Sequence, residues 1–325
     1  MPDRYTGTTT AGQVVGIPEN ILKLHTNDVL FEAMPVMRYD QFAVVRTDLQ
    51  AEPGDTITFP KYGNLERGGK INEEDDLVRK SMSKTNIPIQ VDEYGNAVGL
   101  TAKFMTLSFM DEMSNASILL GRDYAIVTDI MLRDALFSGT QHYLAGESAD
   151  QQAIDVNDTL DLDDIDEVVT LLATGNVLKY VDANGEYYVG FFHPHQLKTV
   201  KSAMISIKQY AYPELIFKGE VGEYNGVRFI ETSNVPNGEA PDTDPGYDAS
   251  LVSGYEYASG ETNAVNLYKG AIFGERAYGW AIALPVELRE DPGFGTFGRK
   301  RGLAWYAIHG AAKINDENIY IVVTS

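Results

Sequence analysis

Three short stretches carry residues whose types and spacing could do chemistry. Gly293-Phe294-Gly295-Thr296-Phe297-Gly298 matches the G-x-G-x-x-G pattern that cradles a pyrophosphate at a helix N-terminus. That use needs a buried strand before the glycines and a helix after them. Here Leu288-Arg289-Glu290-Asp291-Pro292 comes before and an aromatic β-type run comes after, so a glycine-rich contact loop is expected. His193-Pro194-His195 could supply two imidazoles to a metal, but the proline reads as a strand-to-helix turn, and His25, His142 and His309 lie far off. Asp155-Val156-Asn157-Asp158-Thr159-Leu160 begins like a calcium loop. Its sixth position is Leu160 where glycine is required, and its twelfth is Asp166 rather than glutamate, so helix capping explains these acids better. No G-x-S-x-G elbow and no P-loop occurs. The absence of cysteine removes thiol nucleophiles, thiolate zinc sites and disulfides together. The expectation is therefore no catalytic residue, no cofactor, no metal site and no enzyme.

The elements that would have to position such groups belong to a chain of 325 residues, which fits about two domains or one elaborated α+β body. Hydrophobic residues at 44% and charged residues at 22% exclude wholesale disorder. With 26 basic against 47 acidic side chains the net charge is −21, which argues against wrapping nucleic acid through Lys/Arg displacement of counterions. No run approaches the roughly 18–20 apolar residues of a membrane helix. The polar start, Met1-Pro2-Asp3-Arg4-Tyr5, lacks a signal peptide's apolar core, so a soluble cytoplasmic product is expected.

Residues 1–50 read as an arm with little packing of its own, its short apolar pieces set among Gly7, Gly12, Gly16, Pro18 and Pro35. Thr56-Ile57-Thr58-Phe59-Pro60 and Asn86-Ile87-Pro88-Ile89-Gln90-Val91-Asp92 are β-type runs. Between them lies a charged stretch with Glu66, Glu73, Glu74, Asp75 and Asp76 alongside Arg67, Lys70, Arg79, Lys80 and Lys84. So long a connection is usually functional or disordered, and the pattern predicts a long hairpin reaching away from the body. From Ser108 to Gly139, Leu120, Tyr124, Val127, Met131 and Ala135 form one helical stripe. Ser108 and Asp111 resemble a capping box, Gly139 is a stop, and Gly121 and the 114–117 region are points of interruption. A second helix is expected over Thr159 to Thr174, with Asp161, Asp163, Asp164 and Asp166 at its positive end and Gly175 after it. Tyr187 to Phe192 reads as a buried strand, Gln196 to Ile207 as a third helix, and Tyr224 to Ile230 as a turn plus strand. Asn237 to Gly260 reads as a loop, and Ala271 to Leu284 and Gly302 to Ser325 as β-type. Irregular alternation of helices and strands favours α+β over a doubly wound parallel sheet.

In this order the parts resemble the major capsid (coat) protein of tailed bacteriophages, the Hong Kong ninety-seven type fold, and more narrowly the family similar to the coat protein of phage N-four. The residues that carry it are Gly54-Asp55-Thr56-Ile57-Thr58-Phe59-Pro60 entering the hairpin, and Glu93-Tyr94-Gly95 leaving it. Leu107-Ser108-Phe109-Met110-Asp111 opens the long helix; Phe192-His193-Pro194 and Gly226-Val227-Arg228-Phe229-Ile230-Glu231-Thr232 lie in the middle. Asp291-Pro292 to Gly302 and Trp305-Tyr306 to Ala311-Ala312-Lys313-Ile314 lie at the end. One departure is the stretch from Gly293 to Arg301, longer than the family's direct run from Asp-Pro into the final strands.

That resemblance implies an amino-terminal arm (1–50), an extended hairpin loop (51–103), a peripheral domain with a spine helix (104–149), an axial domain (150–285) and final strands returning to the peripheral domain (286–325). It implies self-assembly through hexamers and pentamers into an icosahedral head around double-stranded DNA, bound without sequence specificity. Portal and scaffolding or decoration proteins are the implied partners, with no membrane. The location would be the virion, after assembly in the host cytoplasm. Residues expected at contacts between subunits are Arg67, Lys70, Glu73, Glu74, Asp75, Asp76, Arg79, Lys80 and Lys84 in the hairpin, with Arg299, Lys300 and Arg301 near the end. The alternative is another viral assembly subunit, of a tail tube or a decoration.

Overall fold

The computed structural model describes residues 37–47, 56–63, 65–70, 79–108, 111–147, 154, 157–182, 185–203, 222–236, 268–294 and 298–325. Most of the expected arm, the acids Glu73 to Asp76 and the 237–260 loop lie outside them. A 3-10 turn at Tyr39–Phe42 leads into β1 (Val44–Arg46). Strands β2 (Thr56–Tyr62) and β3 (Lys84–Gln90) pair antiparallel from Thr56↔Gln90 to Tyr62↔Lys84, giving the expected hairpin. Then come β4 (Asp92–Thr101), a short helix α1 (Ala102–Leu107), the long helix α2 (Glu112–Phe137) and β5 (His142–Leu144). Helix α3 (Leu162–Thr174), β6 (Tyr180–Asp182) and β7 (Gly185–Phe192) follow. After a helical stretch at 197–203 come β8 (Glu223–Tyr224), β9 (Val227–Glu231) and β10 (Tyr268–Phe273). Strands β11 (Tyr278–Phe294), β12 (Lys300–Lys313) and β13 (Ile319–Thr324) complete the chain.

Two larger sheets result. One has the order β1-β11-β12-β4; the other has seven strands, β5-β13-β10-β7-β9-β8 with β6 also on β7. In the seven-stranded sheet, side chains alternate between two buried layers, as period-two geometry requires. Val189, Phe191, Ala271, Phe273, Ile319, Ile321 and Val323 face Leu132, Leu136 and Phe137 of α2 together with Tyr39. Tyr188, Phe192, Ile272 and Val322 face Ile165, Val168, Val169 and Leu172 of α3, with Leu197 and Val200. The tight β8–β9 turn places Asn225 at φ 45° and Gly226 at φ 75°, the left-handed pair that a two-residue hairpin needs.

Helix α2 ties the two sheets together. Its first half sets Ala116, Leu120, Tyr124 and Val127 against Leu303, Trp305 and Ala307 of β12, and its second half enters the core of the larger sheet. Asp123 on α2 accepts from Trp305 Nε1 (2.7 Å) and from Asn96 Nδ2 (3.0 Å), fastening helix to sheet. At about 1.5 Å per residue, its 26 residues span roughly 39 Å.

The helix begins later than the sequence reading has it. Ser108 ends α1 instead, its N–H donating to Phe104 O, and its hydroxyl donates to Glu112 Oε1. Asp111 is the cap, its carboxylate accepting from Ser114 N at 3.3 Å. Neither Gly121 nor the serines at 114 and 117 break it. A side chain at Gly121 would meet open space, so that glycine costs helix propensity without marking a bend. Helix α3 likewise starts at Leu162 rather than Thr159, with Asp161 and Asp164 forming a reciprocal capping box.

Candidate assembly surfaces

The hairpin is seated at its root and free beyond it. Ile57, Phe59 and Ile89 are buried against Ala281 and Ala312 of the four-stranded sheet and Ile314 just after it. Two glycines make the seat. Gly279 lies under Phe59 and Ile89, and Gly310 lies so close to the Gln90–Val91 link that an added Cβ would fall 2.0 Å from Gln90 O. Beyond Phe59 and Ile87 the ribbon is exposed: Tyr62 at 61%, Leu65 at 56% and Met82 at 73%. Large apolar groups held in water on a two-stranded ribbon are unfavourable in an isolated subunit and mark a surface meant for covering. Further exposed apolar residues occur on α1 and α2 (Leu107, Ile118, Leu119), near α3 and β6 (Leu171, Leu178, Val181) and on β11 (Val286, Leu288).

Of the expected contact residues, Lys80 pairs with Glu66 inside the same ribbon, and Lys84 lies over the Tyr62 ring at 5.8 Å. Arg67, Lys70 and Arg79 are exposed. Arg299, Lys300 and Arg301 are also exposed, where β11 turns into β12, and Arg299 O accepts the N–H of Ala102 at the start of α1. The β4–β12 register runs from Thr101↔Lys300 to Asp92↔His309. The basic turn and the hairpin root therefore occupy opposite ends of β4, roughly 30 Å apart for ten residues. One copy presents the mixed-charge ribbon at one end of this sheet and a cationic turn at the other.

The described parts of the three stretches singled out by residue type make the following contacts. Gly293 and Gly298 approach each other across the β11–β12 turn, Gly298 in the left-handed region at φ 62°, and strand β12 rather than a helix follows. Gly295, Thr296 and Phe297 lie outside the described residues. His193 Nδ1 accepts the N–H of His195 (3.2 Å), and both rings stack on Tyr268 at 4.7 and 4.9 Å. Asp155 and Val156 lie outside the described residues, but the acids after them are engaged. Tyr143 OH contacts Asp164 and Glu167, whereas Asp166 accepts from Tyr224 OH and Asn225 Nδ2. Burial pushes the Asp164 carboxyl up and the Tyr143 hydroxyl up as well. Among the described residues no group of three or more His, Asp or Glu side chains is placed to hold a metal ion, and no helix is long and apolar enough to cross a membrane. An open groove of about 460 Å³ runs over Ala97, Gly99, Gly302 and Ala304; Glu290 and Asp291 at its edge are consecutive strand residues pointing to opposite faces.

His309 is 1% exposed beneath the four-stranded sheet, beside Tyr94 (4.8 Å) and Tyr124 (6.1 Å). Among the described residues, its Nε2 and the Trp280 Nε1 have no hydrogen-bond partner. Burial holds the imidazole down at about 4, against 6.5 when unfolded. Between those values the unfolded chain binds the extra proton. Stability from this group is complete above about pH 6.5 and is lost as pH falls towards 4, by about 3 kcal/mol. Chemical denaturation of the dispersed subunit at pH 7 and pH 4.5 should show the loss, and His309→Phe should shrink it. An unchanged pH slope in that variant would remove His309 as the cause.

A family model described as phage capsid protein matches residues 127–315, more than half of the chain. The chain belongs to the phage capsid protein family. Its fold extends the likeness over residues the family match omits. The capsid protein resembles that of Ralstonia phage GP4 at 13% identity and TM-score 0.71, over 98% of each chain. It also resembles the capsid of cyanophage Pam1 at 16% identity and TM-score 0.72, over 99% of each chain. The head of Helicobacter pylori bacteriophage KHP40 matches at 12% identity and TM-score 0.70, over 98% of this chain and 99% of that one. At such identities the shared property is the fold, that of tailed-phage major capsid proteins. Among curated proteins none matches the sequence. Family and fold together make this a structural protein, a phage capsid protein with the fold of tailed-phage capsid subunits.

Proposed function

We propose that this capsid protein closes its shell through hexamers and pentamers in which each subunit is completed by its neighbours. The observation that carries this reading is the hairpin: rooted on the body by Ile57, Phe59 and Ile89, it exposes Tyr62, Leu65 and Met82 beyond the root. Residues 51–103 lie over an adjacent subunit, and the arm (1–50) runs along another. The peripheral part is built on 104–149 with 286–325, and the axial part, 150–285, packs around the ring centres. Glu73 to Asp76 of one copy meet Arg299, Lys300 and Arg301 of the next, with Arg67, Lys70, Arg79, Lys80 and Lys84 on the same ribbon setting register. Each exposed pair is worth only about 0–1 kcal/mol, so such pairs select the partner while apolar contact holds it. Head-to-tail contact of this kind closes into rings.

The shell encloses double-stranded DNA without reading its sequence; the net charge of −21 keeps packaged DNA from sticking to the wall. Portal and scaffolding or decoration proteins are its partners, and assembly takes place in the host cytoplasm. Electron microscopy of the purified protein should show closed spherical shells. Tubes would favour a tail-tube subunit, and a uniform monomer that never assembles would overturn the reading.

A further inference from the structure

Asp129 lies on α2 at 2% exposure, and its carboxylate is taken up by three donors from two other parts of the chain. Oδ1 accepts the N–H groups of Arg38 (2.8 Å) and Tyr39 (3.0 Å), and Oδ2 accepts from Asn234 Nδ2 (2.7 Å). Those two N–H groups open the 3-10 turn at 39–42, which has no side-chain cap of its own. The first turn of a helix leaves such groups unpartnered, and a carboxylate some 90 residues away fills the role. Asn234 is fixed in turn: its Oδ1 accepts from Arg133 Nη1 (2.8 Å), and its carbonyl accepts from Tyr39 OH (2.9 Å). The Tyr39 ring is fully buried against Phe137 and Phe191, and Tyr39 O accepts from Tyr278 OH. The chain is thus tied to helix, loop and sheet at one point, directly after the arm.

We propose that Asp129 is the positioning residue that sets where the amino-terminal arm leaves the subunit, and through it whether the arm reaches its neighbour. This rests on the reading of the arm given above. The polarity of the clamp makes it testable by exchange. In Asp129→Asn an amide N–H₂ faces the N–H₂ of Asn234, or else Asn234 turns over and faces Arg133; either way two donors oppose each other. In Asn234→Asp two carboxylates face each other. With both changes, the amide at position 129 donates to the carboxylate at position 234, Arg133 keeps its acceptor, and the net charge is unchanged.

Each single variant should let trypsin cut after Arg38 about tenfold faster in dispersed subunits, below their unfolding midpoint, and should cut shell yield by about tenfold. The double variant should restore both. The proposal is overturned by single variants that leave Arg38 protected and shells normal, or by a double variant no better than either single one. Deleting residues 2–36 judges the arm separately: normal shells from that chain would sink the reading of the arm, while Arg38 cleavage in the full-length variants still decides on the clamp.

Discussion

Gly310→Ala should leave a folded subunit that no longer builds closed shells. The new methyl would stand 2.0 Å from Gln90 O, 3.0 Å from Gln90 C and 3.2 Å from Val91 Cα, all backbone atoms that cannot rotate aside. Either β12 or the Gln90–Val91 link must shift by more than an ångström, at a cost of about 1–3 kcal/mol. The link is where β3 of the hairpin becomes β4 of the sheet, so its displacement swings the ribbon. Over the seven residues of β3, roughly 23 Å, a small tilt at the root becomes a misplacement of several ångströms at the far end. Gly121→Ala is the matching control. Its methyl meets nothing, it removes a helix penalty of about 1 kcal/mol, and shells should form normally with a raised unfolding midpoint. Sedimentation and electron microscopy of the two variants side by side read the difference. Normal shells from Gly310→Ala would show that the angle of the hairpin is not critical.

Removing Gly63 to Thr85 should have an effect as large on assembly and almost none on the subunit. Joining Tyr62 to Asn86 keeps the Pro60↔Asn86 pair and leaves Lys61 and Tyr62 as a two-residue turn, while Ile57, Phe59 and Ile89 keep their seat. The lost residues are exposed or lie outside the described structure, so little buried area goes with them, and the shorter loop closes at a lower entropic cost. The expected product is soluble, unfolds at close to the parent midpoint and sediments as small species. Closed particles of ordinary size from this deletion would refute the role given to the ribbon.

Much of the scaffold was legible because it follows from local periodicity. The Leu120–Tyr124–Val127 stripe located α2, and Gly54 to Pro60 with Asn86 to Asp92 located the hairpin, whereas the β-type run over Gly302 to Ser325 is two strands, β12 and β13. The start of α2 was misread because Ser108 and Asp111 both offer capping oxygens, and only the end of α1 decides which is used. The assembly surface was read as charge alone. Tyr62, Leu65 and Met82 were passed over, since isolated apolar residues in a charged stretch have no period to betray them. The hairpin seat did carry a signal: Gly310 interrupts a β-type run, which marks a bulge or a close backbone approach. Asp129 carried none. An acid on a helix reads as solvated, and its partners are 90 to 105 residues away.

Strand β13 lies between β5 and β10 inside the larger sheet, although it is translated after both. That sheet cannot be finished while residues 319–324 remain within the ribosome, and until then β5 and the β10 side have no strand to join them. A polypeptide lacking those six residues would therefore hold β5 and β10 as separate edges, with Ile319, Ile321 and Val323 missing from the core between them.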